Sequence, residues 1–154
     1  MRALSLPAIV VAALLVAAPA GAAIVPQKGI AGVELRMTKA QVRAKLGAPK
    51  RVEKGRNDFG RFTRFLYPRV TVLFQSGAKV TAVRTMSPLE RTAAGVGVGA
   101  TEAKVKARVP GVKCATLSGA RQCVVGVFKP GRVITAFQIS EGHVSTVVVG
   151  IVID

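Results

Sequence analysis

Residue types able to do chemistry are few and scattered in this 154-residue chain. His143 is the single histidine. It stands beside a Ser140-Glu141-Gly142 turn signal in a valine-rich stretch, so a structural or surface role is expected rather than that of a general base. The carboxylates Glu34, Glu53, Asp58, Glu90, Glu102, Glu141 and Asp154 form no tight pair of the kind acid–base hydrolysis needs. Gly95-Val96-Gly97-Val98-Gly99 has the glycine density of a phosphate loop. It lacks the Lys-Ser/Thr ending and follows no convincing strand, so it reads as a flexible lead into a helix. No catalytic residue, metal or cofactor is therefore expected, and the chain reads as a non-enzyme.

Two further groups remain. Cys114 and Cys123 are too far apart for a C-x-x-C redox site, and a metal site would want more than one histidine or a second thiol pair. In an exported chain such a nearby pair reads as a structural disulfide closing a short loop. The stretch from Arg56 to Arg69 interleaves cations with rings, and Arg56, Phe59, Arg61, Arg64, Tyr67 and Arg69 are its candidate contact residues. Such a surface could stack on rings while arginine holds phosphates, or could dock a protein partner. The alternative is a strand whose aromatics enter the core and whose arginines are solvated.

The N-terminus gives the compartment. Arg2 precedes a mainly apolar run from Ala3 to Val16, which ends in small residues with A-x-A spacing at Ala18-Pro19-Ala20 and Ala20-Gly21-Ala22. These are the parts of a secretory signal peptide over residues 1–22, with an uncleaved anchor as the alternative. No cysteine follows the apolar run to carry a lipid. The expected location is secreted or extracytoplasmic, at the cell envelope. Twenty-three Lys and Arg against seven Asp and Glu give a net charge of +16, which favours anionic partners such as lipid headgroups or wall polymer. Export argues against nucleic acid.

The elements that would position a binding surface follow from an internal repeat. Gly32-Val33 recurs as Gly95-Val96, and the same displacement of 63 places Thr38 on Thr101, Val42 on Val105, Arg69-Val70 on Arg132-Val133 and Phe74-Gln75 on Phe137-Gln138. Repeat 1 then covers 23–91 and repeat 2 covers 92–154. Each begins with a short helix. Thr38 and Gln41 form a capping box, Val42 and Leu46 share a face, and Gly47 and Pro49 stop the helix. Thr101 caps the second helix, Val105 and Val109 form its stripe, and Pro110-Gly111 ends it. Strands are expected at 61–67, 70–75, 79–85, 122–128, 133–139 and 143–153. The last is apolar on both faces and should be central. Residues 50–60 read as an exposed loop or edge hairpin, and Ser87-Pro88 as the start of a short linking helix.

Leu35-Arg36-Met37-Thr38-Lys39-Ala40-Gln41-Val42, closing with Leu46-Gly47-Ala48-Pro49, resembles the G-M-T-x-x-Q-V…L-G-x-P signature of the β-lactamase-inhibitor-protein-like superfamily. The small outer-membrane assembly lipoproteins share the same unit. Gly99-Ala100-Thr101-Glu102-Ala103-Lys104-Val105 looks like a worn second copy. The resemblance implies a tandem arrangement and a cysteine bond placed like Cys114–Cys123. Arg36 replaces the usual glycine, repeat 1 has no cysteine pair, and the inhibitor's contact loops have no counterpart.

The expected fold class is thus α+β: two tandem repeats, each a short helix or helix pair packed on a three- to four-stranded antiparallel meander. The expected function is an exported binding module with a protein or envelope partner. The alternative is an envelope-associated structural protein holding anionic lipid or wall polymer through its basic surface.

Overall fold

The computed structural model describes residues 23–154. The signal-peptide reading of residues 1–22 lies outside them. Three two-residue strands come first: β1 (Ile24–Val25), β2 (Gly29–Ile30) and β3 (Val33–Glu34), which form a small antiparallel sheet. Helix α1 (Lys39–Leu46) leads to β4 (Arg51–Asn57), β5 (Gly60–Leu66), β6 (Thr71–Gln75) and β7 (Ala82–Thr85). Helix α2 (Glu102–Arg108) leads to β8 (Lys113–Leu117), β9 (Ala120–Val125), β10 (Val133–Ser140) and β11 (His143–Ile151). No helix among the described residues is long and apolar enough to cross a membrane.

The α+β expectation does not hold. The described chain is mostly β, and its two helices have only eight and seven residues. All eight long strands join one antiparallel sheet in the order β4-β5-β6-β7-β11-β10-β9-β8. The physical reason is the free strand edge. A meander ending at β7 would present unpaired backbone groups, and β11 satisfies them by pairing Val147 with Thr85 and Val149 with Val83. Separate helix-on-meander units are therefore replaced by one continuous sheet with β11 at its centre. The linking helix is also absent: Ser87–Glu90 makes a single turn, with the Leu89 amide donating to the Ser87 hydroxyl.

Local signals work as their chemistry requires. The Thr38 hydroxyl accepts from the Gln41 amide while the Gln41 side chain accepts from the Thr38 amide, a complete capping box. Gly47 ends α1 at φ 79°, a backbone angle open to glycine at little cost. Residues 50–60 form edge strand β4 and its hairpin turn. Arg51, Glu53, Lys54 and Arg56 keep that edge charged, which discourages strand addition.

One face of the large sheet carries the core. Phe65, Val72, Phe74, Val83, Phe137, Val147 and Val149 point into it and meet Val42 of α1, Val105 of α2, and Ile24, Ile30 and Val33 of the small sheet. Phe65 and Phe74 pack edge to face at 4.9 Å. Arg43 lies 4.6 Å from the Phe65 ring and Lys39 5.4 Å from the Phe74 ring, so α1 covers apolar rings with the stems and heads of its own cations.

Helix α2 is fastened to β9 by charge. Glu102 accepts from Arg121 Nε at 3.1 Å and pairs with Lys106 Nζ at 2.7 Å. Hydrogen bonds from Arg121, then from Lys106, hold its carboxyl at about 2, below an ordinary value of 4.5. A carboxyl whose folded value is depressed stabilises above its ordinary value and loses that contribution as pH falls toward the folded one. Glu102→Gln is therefore expected to flatten the decline in melting temperature between about pH 5 and pH 2. Identical acid slopes in the two proteins would refute the assignment.

Candidate interaction face

Antiparallel pairing fixes which residues share the opposite face. The register sets Arg64 beside Leu73 and Glu53, Leu73 beside Ala82, and Arg84 beside Val148. Val148 in turn sits beside Ala136, and Ala136 beside Val124. Both helices and the small sheet pack on the core side, and no element among the described residues covers this second face.

Its centre is shallow because its residues are small. Gly150 pairs with Ala82, and a Cβ on Gly150 would lie 3.2 Å from that of Ala82. Toward β4 the face rises. The Phe62 ring lies across Gly55, where a Cβ would collide with it, so the bare glycine backbone and the ring complete each other. Arg64 sits 4.6 Å from the Phe62 ring and 3.6 Å from Glu53. The guanidinium is thereby held between the ring and the carboxylate. Together with Leu66, Leu73, Arg84 and Val148, these groups line a groove of about 430 Å³. Half-buried aliphatic walls with two arginines and one stacked ring match the composition of protein-binding hot spots.

The candidate residues do not form one patch. Arg64 is on the open face. Arg56 and Arg61 pair with each other on the opposite side of the hairpin, and Phe59 is exposed at its turn. The Tyr67 hydroxyl donates to the Gly47 carbonyl at 3.0 Å, and burial of the ring region pushes the phenol up from its ordinary value. Arg69 forms an ion pair with Glu90 at the β5–β6 turn. Strand alternation explains the division, because Arg61 and Arg64 are three residues apart and so lie on opposite faces. The interleaving of cations with aromatics carries a signal for Arg64 but does not single out Phe62, Leu73, Arg84 or Val148. The period-two pattern of Phe62, Arg64 and Leu66 is the clue that could have found the groove.

The cysteines do meet. Cys114 and Cys123 stand opposite each other in the β8–β9 register and are joined by a disulfide. Glu102 lies near them, yet with both sulfurs bonded to each other that group offers no thiolate to a metal. His143 begins β11 and is exposed, its Nδ1 3.0 Å from the Glu141 carbonyl.

Fold and face together define a single antiparallel sheet sheathed on one side and open on the other. The crystal structure of a DUF4309 family protein, YjgB of Bacillus subtilis, is similar, with a TM-score of 0.51. At 19% identity, over 84% of this chain and 88% of that one, the likeness concerns the fold alone. No family model and no curated protein matches the sequence.

Proposed function

We propose that this chain is an exported, non-enzymatic binding module of the β-lactamase-inhibitor-like type, which seats a protein partner on the open face of its sheet. The observation that carries the reading is the uncovered groove between Phe62–Arg64 and Val148. An apolar floor walled by Arg64 and Arg84 suits a partner that inserts an aliphatic or aromatic side chain rimmed by carboxylates. The small side chain of Ala82 in the groove lining leaves room for that insertion.

Two charge reversals of equal size test the face. Arg84→Glu is expected to weaken partner capture from envelope extract about tenfold, because it places a carboxylate in the groove. Lys54→Glu, on the other side of β4, is expected to leave capture unchanged. Captured protein should persist in high salt, since contact charges on an apolar floor are poorly screened. Equal weakening by both substitutions, with release by salt, would replace this reading with that of a basic surface holding anionic lipid or wall polymer.

A further inference from the structure

A second cavity, of about 580 Å³, lies on the core side where α1, the small sheet and the β5–β6 turn meet. Its lining is mainly apolar, including Ala23, Ala31, Leu46 and Val70. Glu90 also lines it, and this glutamate is 1% exposed. Arg69, half-exposed, pairs with Oε1 from one side, yet neither carboxylate oxygen accepts a hydrogen bond among the described residues. A buried carboxylate normally accepts several. An apolar cavity with an under-satisfied carboxylate in its wall calls for a group with N–H donors and positive charge.

The chain carries such a group next to the cavity once it is processed. Ile24 is fully buried, and its amide donates to the carbonyl of Arg91, the residue after Glu90, at 3.0 Å. The Ala23 carbonyl accepts from the Ala31 amide at 2.6 Å. The peptide unit that follows Ala23 is thus held at both its carbonyl and its N–H, which keeps Ala23 at the cavity that Glu90 lines. We infer that Glu90 is the built-in seat for the α-ammonium of Ala23, released by hydrolysis of the Ala22–Ala23 bond. The inference rests on reading residues 1–22 as a cleaved leader. Water adds across the amide under a signal-peptidase-type protease, Ala22 leaves as a carboxylate, and the Ala23 amine takes a proton. The new ammonium supplies three donors to Glu90, completing a cluster with Arg69. Export processing and final packing of the small sheet are thereby one event.

The other titratable groups facing the site are Arg69 and Tyr67, with Arg43 beyond the phenol. Tyr67 is already committed to Gly47. An ammonium paired with a carboxylate titrates above the ordinary α-amino value of about 8. Its stabilisation is full below that value and disappears as pH rises through the folded one.

The test uses the exported, processed protein. Its intact mass reads the cleavage site, so retention of residues 1–22 or cutting elsewhere defeats the processing reading by itself. With Ala23 confirmed as the first residue, the α-amine is titrated by pH-dependent reductive methylation. It is expected to titrate about one unit or more above the ordinary value. A second exported form, with Gly-Ser inserted between Ala22 and Ala23, is expected to melt several degrees lower at pH 6–7. The gap should close above about pH 10 and vanish when both forms carry Glu90→Gln. An ordinary α-amine titration with equal melting of the two forms would overturn the seat, and stands even where the Glu90 variant fails to fold. Selective stabilisation of the extended form by ethylamine would instead make the cavity a site for external amines and overturn the N-terminal assignment.

Discussion

Phe74→Ala is expected to lower the free energy of unfolding by about 3–5 kcal/mol, the range for truncating a fully buried ring. Phe74 is 1% exposed and touches Phe65 edge to face, beneath Lys39 of α1. Its loss removes the apolar transfer term and leaves a void under a helix too short to stand alone. The void has little means of closing, because Phe74 pairs with Thr63 in the β5–β6 ladder and its neighbours Val72 and Leu73 are also tied to β7. Phe65→Ala should cost nearly as much, and the double variant less than the sum by about 0.5–1.5 kcal/mol, since the ring pair is lost only once. Phe62→Ala makes the contrast. That ring is half-buried on the open face, and its removal should cost much less stability. Denaturant unfolding of the four proteins checks the series. Equal losses for Phe62→Ala and Phe74→Ala would mean that the assignment of faces is wrong.

The same alternation shows how much of the molecule could be read from its residues. Signals that act over one turn of chain were legible. Thr38 with Gln41, Gly47 before Pro49, and Thr101 before Val105 name both helices, because caps and stops act through neighbouring backbone groups. The two-sided apolarity of residues 143–153 placed the last strand in the interior of the sheet, where β11 lies. What joined the two meanders was not legible. The pairing of Val83 with Val149 links residues far apart in the chain, and either strand could satisfy its backbone with another partner. Weight on the two helix signals therefore leads to an α+β expectation for a mostly β chain. Strand β8 escapes for a related reason, since Lys113–Leu117 is short, exposed and without alternating apolar residues. The contact residues fail in part because a run of arginines and rings suggests one surface, although a strand sends neighbours to opposite sides. Glu90 gives no signal at all, as nothing in Leu89-Glu90-Arg91 distinguishes a buried carboxylate from a solvated one.

Breaking the Cys114–Cys123 bond is expected to cost about 2–3 kcal/mol. The bond spans nine positions, so it closes a short loop whose freedom in the unfolded chain returns on reduction. The position of β8 sharpens this expectation. β8 is the last strand of the sheet, pairs only with β9, and exposes Lys113, Ala115, Thr116 and Leu117. Little buried area holds it in place once the covalent tie is gone. Cys123 differs: it is fully buried beside Phe137, so its strand keeps its packing. Reduction should thus loosen one edge before the sheet as a whole. The amides of residues 113–117 are expected to lose protection from hydrogen exchange first, while those of β10 and β11 stay protected until global unfolding. Cys114→Ala with Cys123→Ala should melt at a temperature close to that of the reduced protein, shifted only by the small void left at Cys123. The outcome against this account is uniform loss of protection across β8 to β11 on reduction. It would mean that the disulfide holds the central sheet together, and that the edge strand has no separate stability to lose.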